Sequence, residues 1–324
     1  MTAKGKEAEI KAFQTGDGVR IVSVSADGGT IAAGSDDAGI YVLDRSGSLL
    51  WSHRTGRPVY AVAVSAGGDT IAAGSYDCRI YFFDRSGRLL RSHETDLLVT
   101  CISISADGGT IAAGSCDARV YLFDRSGRLL WSYETGASVW SVSVSADGSM
   151  IAAGSDDTRV YLFDRSGTLL WSHETGDLVP SVSVSADGGI IAAGSVDRKV
   201  YLFDRSGRLL WSYETGAPVW SVSVSADGST IAAGSDDNTI YLFNRSGTPL
   251  WSHETGKVVH VVAVSANGEK IAAGSWDRSI YLFDRSGRLL RSHQAGRLVY
   301  AVAVSADGRV IAAGSRDAKI YLLT

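Results

Sequence analysis

Apolar and small polar side chains alternate along short stretches of the chain, and turn residues separate these stretches. Residues 139–145 read Val-Trp-Ser-Val-Ser-Val-Ser, and an alternation with a period of two is typical of a β-strand. The Ala-Asp-Gly that follows predicts a turn, because glycine readily takes a positive φ. Three further strands are predicted at 151–155, 160–164 and 169–173, with turns between them. No segment shows the 3.6-residue period of a helix.

This pattern of four strands returns every 40 residues from about residue 17 to the C-terminus, without insertion or deletion. Eight copies at a fixed period predict one cyclic or solenoid architecture. Four short strands joined by hairpin-length turns are typical of a propeller blade. The predicted fold class is all-β, an eight-bladed β-propeller of four-stranded antiparallel blades. Each copy carries a variant of Ser-Ala-Asp-Gly-x-x-Ile-Ala-Ala-Gly-Ser, which begins at Ser25, Ser65, Ser105, Ser145, Ser185, Ser225, Ser265 and Ser305.

The two ends of the chain complement each other. The last copy stops after its third strand, at residues 321–324, while residues 9–16 align with the fourth strand and turn at 49–56. We therefore expect the N-terminal strand to complete the last blade, which closes the ring and covers strand edges that otherwise invite aggregation. The predicted organisation is an N-terminal tail over residues 1–8 and one propeller domain over residues 9–324.

Composition excludes several classes of function. The net charge is −4 and the isoelectric point is near 5.9, so no basic field is expected to hold nucleic acid or an anionic membrane. No run of 18 apolar residues could span a bilayer. The N-terminus lacks an apolar signal core, which predicts a cytoplasmic protein. Cys78, Cys101 and Cys116 do not form a disulfide framework, and their spacing lacks the paired ligands of a zinc site. We expect no metal, no cofactor and a monomeric chain.

The motifs resemble those of a known family. Residues 225–244, Ser-Ala-Asp-Gly-Ser-Thr-Ile-Ala-Ala-Gly-Ser-Asp-Asp-Asn-Thr-Ile-Tyr-Leu-Phe-Asn, resemble a WD-repeat blade, and the resemblance recurs eight times over residues 17–324. It implies that the aspartate between the second and third strands forms hydrogen bonds within its blade. Phe or Leu replaces the family's third-strand tryptophan, and the Gly-His before the first strand is absent, so the usual Asp-His-Ser-Trp network cannot form as such. The matching aspartates are Asp37, Asp77, Asp117, Asp157, Asp197, Asp237, Asp277 and Asp317.

A second resemblance raises the question of catalysis. Residues 204–216, Asp-Arg-Ser-Gly-Arg-Leu-Leu-Trp-Ser-Tyr-Glu-Thr-Gly, are similar to quinoprotein-type propellers, whose enzymes use adjacent cysteines, an axial calcium site and a quinone. This chain has no Cys-Cys pair, so such an enzyme is the least favoured function, and no catalytic residue is predicted. A histidine recurs in the fourth strand, but the copies lie on different blades and cannot converge on a metal. These packing histidines are His53, His93, His173, His253 and His293.

Variation between the copies is concentrated on one predicted face. The connection from the fourth to the first strand and the turn from the second to the third strand emerge together there. One variable position lies at the start of the first strand and another just before the shared aspartate, and residues that vary so freely cannot fill eight equivalent core spaces. Six of these sixteen residues are Trp or Tyr. The predicted binding residues are Arg20, Asp36, Tyr60, Tyr76, Trp140, Asp156, Trp220, Asp236, His260, Trp276, Tyr300 and Arg316.

These residues favour a non-catalytic scaffold that binds a protein or peptide through the variable face. The aromatic residues would anchor the partner, and the charged residues would select it. Two alternatives stay open. The chain could be an engineered or recently amplified propeller with no dedicated ligand, in which case the variation is drift. It could also bind carbohydrate, since Trp and Tyr stack on sugars, although sugar binding favours identical pockets and these pockets differ.

Overall fold

In the computed structural model, which describes residues 10–324, the chain forms eight four-stranded antiparallel sheets. The predicted all-β, eight-bladed propeller is confirmed. The predicted tail, residues 1–8, lies outside the described residues. Within residues 10–324 no helix is long and apolar enough to cross a membrane.

Each blade runs outward from an inner strand. The inner strands are β2 (Val19–Val24), β6 (Val59–Val64), β10 (Val99–Ile104), β14 (Val139–Val144), β18 (Ser181–Val184), β22 (Val219–Val224), β26 (Val259–Val264) and β30 (Val299–Val304). The second strands are β3 (Thr30–Ser35), β7 (Thr70–Ser75), β11 (Thr110–Ser115), β15 (Met150–Ser155), β19 (Ile190–Gly194), β23 (Thr230–Ser235), β27 (Lys270–Ser275) and β31 (Ile311–Ser315). The third strands are β4 (Gly39–Asp44), β8 (Arg79–Asp84), β12 (Arg119–Asp124), β16 (Arg159–Asp164), β20 (Lys199–Asp204), β24 (Thr239–Asn244), β28 (Ser279–Asp284) and β32 (Lys319–Leu323). The outer strands are β5 (Leu49–Arg54), β9 (Leu89–Glu94), β13 (Leu129–Glu134), β17 (Leu169–Glu174), β21 (Leu209–Glu214), β25 (Pro249–Glu254), β29 (Leu289–Gln294) and β1 (Ile10–Gln14).

We number the blades by their inner strands, from blade 1 (β2–β5) to blade 8 (β30–β32 with β1). The ring is closed as the sequence predicts, because β1 pairs antiparallel with β32 from Ile10 opposite Leu323 to Gln14 opposite Lys319. The inner strand β2 contacts both β6 and β30, so the first blade packs against the second and the last. Blade 5 has the shortest inner strand, which begins only after Pro180, because proline has no amide hydrogen to donate to the ladder.

The core lies between neighbouring blades. One cluster joins Val120 and Leu122 of blade 3 to Val142 and Phe163 of blade 4. The second strands are buried along their whole length, and their small side chains allow the next blade to approach. A Cβ on Gly154 would lie only 2.7 Å from the carbonyl oxygen of Val179 in blade 5. The Ala-Ala-Gly sequence of the second strand therefore reflects close packing between blades.

One aspartate in each blade connects that blade to the preceding one. In blade 1, the carboxylate of Asp37 accepts hydrogen bonds from the hydroxyl of Tyr41 (2.7 Å), the amide of Gly39 (2.7 Å) and the amide of Gly16 (2.6 Å), which lies in the connection from blade 8. The bonds from the tyrosine and from the preceding connection recur in all eight blades. The structural role that the resemblance implied is confirmed, and it extends to the neighbouring blade. We call these residues the docking aspartates.

The outer strands also dock on the following blade. The indole nitrogen of Trp51 donates to the carbonyl of Arg85 in blade 2 at 3.1 Å, and four further blades repeat this bond. The ring of His53 packs 5.0 Å from the ring of Phe83, centroid to centroid. His93, His173 and His253 make the equivalent contact. The prediction that these histidines are packing residues is therefore confirmed for them.

The Ala-Asp-Gly turns on the opposite face form a belt of hydrogen bonds around the ring. The amide of Ala26 donates to the carbonyl of Ala66 in the next blade at 3.0 Å, and the amide of Ala306 donates back to Ala26 at 2.9 Å. Gly28 has a φ of 69°, and a Cβ there would lie 2.5 Å from a methyl carbon of Val310 in blade 8. The uniform sequence of this face is therefore required by contacts between blades.

We predict that deleting residues 1–16 destabilises the protein and promotes self-association. The deletion removes β1, exposes the edge of β32 and removes the ring of Phe13 from Tyr41, which is 5.7 Å away. Unfolding followed by circular dichroism should show a melting temperature lower by about 5 °C or more, and light scattering should detect oligomers. Deletion of residues 1–9 alone is the control, since it leaves β1 in place. A 1–16 deletion that stays monomeric and equally stable would contradict closure by β1.

We also predict a loss of stability above pH 10. Burial and the hydrogen bond to the docking aspartate raise the pKa of Tyr41, Tyr241 and Tyr321 to about 12. In the unfolded chain tyrosine releases its proton near pH 10. Between about pH 10 and 12 the unfolded state therefore binds fewer protons than the folded state, and the free energy of unfolding falls as the pH rises. The free energy of unfolding, measured by urea titration, should be constant from pH 7 to about 9 and fall steeply from about 10 to 12.

The contribution of the tyrosine hydroxyl to stability can be measured by a substitution that removes it. Tyr241→Phe should cost about 1.5–3 kcal/mol at pH 7, because a bond to a charged acceptor is lost, and should make the alkaline transition shallower. Tyr133→Phe is the matched control, since this ring packs on Tyr161 and Phe163 of the next blade and does not serve a docking aspartate. Equal losses in the two variants would show that the bond to the docking aspartate contributes nothing of its own.

The variable face as a candidate binding site

The two variable positions of each blade are held side by side by the backbone. The amide of Asp36 donates to the carbonyl of Gly18 at 2.8 Å, which joins the turn between strands two and three to the connection before the inner strand. Each of the other seven blades has the equivalent bond. Hence the connections from outer to inner strands and the turns between second and third strands form one surface around the central axis. We call it the variable face.

Six of the predicted residues lie in one continuous row. The rings of Tyr76 and Tyr60 are stacked, with centroids 3.9 Å apart and planes at 11°. The guanidinium carbon of Arg20 lies 5.0 Å from the ring centre of Tyr60 and 4.6 Å from that of Tyr300. The ring of His260 lies 5.8 Å from Tyr300 and 5.6 Å from Trp276. This row runs across blades 2, 1, 8 and 7, and we call it the aromatic arc: Tyr76, Tyr60, Arg20, Tyr300, His260 and Trp276.

Arg20 is the fixed centre of the arc. Its Nε lies 2.9 Å from each carboxylate oxygen of Asp36, and two tyrosine rings flank its guanidinium, an arrangement that favours a cation. Burial lowers the pKa of Arg20, but the hydrogen bond and charge of Asp36 outweigh this effect and the pKa is raised. The side chains of Arg20 and Asp36 are 26% and 18% exposed. This ion pair therefore orders the arc and leaves it without net charge.

Three other titratable groups of the arc, His260, Tyr60 and Tyr76, are shifted toward their neutral forms. Burial lowers the pKa of His260, although the charge of Asp236 in blade 6 acts in the opposite direction. Burial raises the pKa of Tyr60, and it raises that of Tyr76 to about 12. The arc therefore presents uncharged rings around one compensated ion pair.

The remaining predicted residues lie outside the arc, although Arg316 borders it. Trp140 of blade 4 is 41% exposed, whereas Trp220 of blade 6 is half-buried. Pro180 of blade 5 separates these two tryptophans. Asp156 and Asp236 are half-buried beside them, and Arg316 is exposed in blade 8. The structure thus brings together six of the twelve predicted residues, pairs Asp36 with one of them, and distributes the other five over blades 4, 6 and 8.

The inner strands below this face carry polar side chains in one half of the ring and apolar side chains in the other, a difference that was not predicted from the sequence. The hydroxyl of Ser141 accepts a bond from the amide of Val182 in the next blade at 3.0 Å, and that of Ser143 accepts from Val184 at 3.1 Å. Blades 3–6 carry such residues at both positions, whereas blades 7, 8, 1 and 2 are almost entirely apolar there. The polar set is Cys101, Ser103, Ser141, Ser143, Ser181, Ser183, Ser221 and Ser223. The other set is Val261, Ala263, Ala301, Ala303, Ile21, Ser23, Ala61 and Ala63.

This alternation of Val-Ser-Val with Val-Ala-Val was visible in the sequence and could have revealed the division. The apolar half of the inner strands belongs to the same four blades as the aromatic arc. Residues 10–324 contain no group of three or more His, Cys, Asp or Glu side chains placed to hold a metal ion.

Comparison with known proteins gives the following matches. The family model described as the IFT122 first beta-propeller matches residues 89–324, and the model for the outer membrane protein assembly factor BamB matches residues 5–145. No curated protein is detectably similar in sequence.

Solved structures share the fold over almost the whole chain. Sqt1 from Chaetomium thermophilum, bound to the N-terminus of ribosomal protein L10, superposes with a TM-score of 0.82 at 21% identity over 95% of this chain and 96% of that chain. The computationally designed Ika8 protein superposes with a TM-score of 0.83 at 19% identity over 96% of this chain and 97% of that chain.

The IFT122 model covers more than half of the sequence, and the superpositions agree with the fold derived from the strands. The chain therefore belongs to the WD-repeat β-propeller family, in the group described as the IFT122 first beta-propeller.

Proposed function

We propose that this propeller is a non-catalytic module that binds a protein or peptide across its variable face. The observation that carries the proposal is the aromatic arc, in which side chains from four blades make one ordered apolar surface at the opening of the ring. Ordered aromatic side chains are common anchors of interfaces, because they bury much area and lose little conformational entropy on binding. All twelve predicted residues belong to this proposed surface.

Two exposed tryptophans support the same role. Trp140 is 41% and Trp276 is 36% exposed, and large apolar side chains gathered on one face mark interaction surfaces. On the opposite face, in contrast, the backbone groups of the Ala-Asp-Gly turns are used in bonds between blades. The related Sqt1 structure has a peptide bound, which is consistent with binding by this fold and does not identify a partner here.

The arc is less suited to carbohydrate. Sugars stack on free ring faces, whereas Tyr60 is covered by Tyr76 on one side and Arg20 on another, and Tyr300 is covered by Arg20. We further propose that the module acts as a monomer in the cytoplasm. The closure by β1 leaves no open blade, and Cys78, Cys101 and Cys116 are unpaired, as is usual in a reducing compartment.

We predict that Trp140→Ala combined with Trp220→Ala weakens peptide binding without unfolding the protein. A library of random peptides displayed on phage would be selected on the wild-type protein, and the affinity of the selected peptides measured by isothermal calorimetry. Loss of two anchor side chains should weaken binding at least about 30-fold. The melting temperature should change by no more than a few degrees, because Trp140 is 41% exposed and Trp220 is only half-buried.

The matched control changes two exposed arginines of the opposite face, Arg165→Ala with Arg245→Ala, and should leave binding unchanged. Peptides that bind the double-tryptophan variant as tightly as wild type would contradict the assignment of these anchors. Failure to select any peptide would instead support a propeller whose variable face has no dedicated ligand.

A further inference from the structure

Charge is distributed unevenly around the variable face. Apart from the docking aspartates Asp277 and Asp317, the described residues of blades 7 and 8 present no carboxylate on this face, but they present four exposed cations. These cations are Lys257, Arg278, Arg297 and Arg316. Blades 4, 5 and 6 instead present Asp156, Asp177 and Asp236 on the inner part of the same face.

The four cations make no ion pair within residues 10–324. Several other basic side chains of this face are neutralised: Arg79 lies 2.9 Å from Glu94, Arg159 lies 2.7 Å from Glu174, and Arg20 is held by Asp36. An unpaired, exposed charge costs little to present and is available to a ligand. Among the described residues, Arg54 and Arg57 at the junction of blades 1 and 2 are likewise exposed without an ion pair, so the free cations of this face lie in blades 7, 8, 1 and 2.

Three of these cations border the aromatic arc. The amide of Arg316 donates to the carbonyl of Leu298, next to Arg297, and the amide of Trp276 donates to the carbonyl of Val258, next to Lys257. The Cα of Arg316 also lies 3.4 Å from the position of a Cβ on Gly18, close to Arg20. We call Lys257, Arg297 and Arg316 the basic border.

Carboxylates lie at both edges of this region, with Asp236 and Glu254 in the adjoining blade 6 and Asp17 on the side of blade 1. Asp17 is exposed at the entrance to blade 1, and one of its oxygens accepts the amide of Gly18 at 2.7 Å. Asp36 is already paired with Arg20. Within blades 7 and 8 themselves the exposed cations face no carboxylate other than the docking aspartates, so the border is positive there.

Building on the function proposed above, we propose that the aromatic arc and its basic border bind an acidic peptide segment, in which carboxylates flank an aromatic or aliphatic side chain. The apolar side chain would pack on the arc above the apolar inner strands of blades 7, 8, 1 and 2. The carboxylates would face Lys257, Arg297 and Arg316. The acidic residues of blades 4, 5 and 6 repel such a segment and so restrict it to this side of the ring.

The two parts of this surface contribute differently. Contacts with rings supply affinity, because apolar area leaves water. Exposed charges supply mainly selectivity and association rate, and their effect decreases with salt. Binding should therefore combine a salt-dependent preference for carboxylates with a salt-independent need for the apolar side chain.

The test uses synthetic peptides and the full-length protein. One fluorescent peptide carries several glutamates around a central phenylalanine, and two matched peptides carry glutamine or lysine instead of glutamate. At low salt, fluorescence anisotropy should show the glutamate peptide binding about tenfold more tightly than the glutamine peptide, and the lysine peptide binding most weakly. Raising the salt should reduce the first difference to about twofold or less.

Charge reversal locates the effect. Lys257→Glu with Arg297→Glu and Arg316→Glu should weaken binding of the glutamate peptide about tenfold or more. Arg45→Glu with Arg165→Glu and Arg205→Glu is the matched control, because it makes the same change in net charge at exposed sites of the opposite face. The control should change the affinity less than about twofold.

Other outcomes would overturn the inference. Preference for the glutamine or lysine peptide, with loss of binding in a Trp276→Ala/Tyr300→Ala variant of the arc, would leave the proposed function standing and remove the acidic partner. An oligothymidylate that binds as tightly as the glutamate peptide and is lost on charge reversal would show recognition of phosphate instead. Binding of none of the peptides, together with an unsuccessful phage selection, would overturn the proposed function as well.

Discussion

The carboxylate of the docking aspartate is the contact on which the ring depends. Asp37 binds a tyrosine hydroxyl and an amide of its own blade, and it also binds the amide of Gly16 in the connection from the preceding blade. Because this contact is repeated at every step, each blade meets the next at the same distance and angle, and the ring closes only if all steps are alike. The constant spacing of 21 residues between the donor glycine or aspartate and the docking aspartate preserves this contact at every step. The residue before each docking aspartate, such as Asp36, is therefore held in the same position in every blade, although its side chain differs between blades.

The two faces are constrained to different degrees. On the opposite face, the belt between alanines and the close approach of Gly28 to Val310 exclude most substitutions. The variable face has its backbone bonds at the same places, but its side chains are not required by the next blade. Concentration of variation there therefore follows from packing alone and is no argument for binding. The arc is what indicates binding. Arg20 contacts Asp36, Tyr60 and Tyr300 together, and independent drift would not produce matching residues in three blades.

The sequence was sufficient to predict the blades, their number, the closure by β1 and the role of the docking aspartates. The strand pattern is local, and its repetition removes the ambiguity of any single copy. It was not sufficient to predict the bond from Asp37 to Gly16, because the resemblance concerned contacts within one blade. Nor could it show that Tyr76 continues through Tyr60 to Arg20 and Tyr300, which depends on the order of blades in the ring and on side-chain rotamers. Variation between the copies identified these residues one by one, and only the structure shows that their side chains contact one another.

A propeller of eight nearly identical blades offers a ligand eight nearly identical sites, and a single bound orientation requires that this symmetry be broken. Three sets of positions depart from the eightfold symmetry in the same four blades. The aromatic arc occupies blades 7, 8, 1 and 2, the exposed cations without an ion pair lie in the same four blades, and so do the apolar inner strands. The arc comes from the starts of inner strands and from turns, the cations come from connections, turns and the end of one outer strand, and the apolar set comes from the interior of the inner strands, so the backbone does not force them to coincide. Their coincidence is explained if one ligand contacts all three, since a segment that packs on the arc lies above the apolar strands and beside the cations.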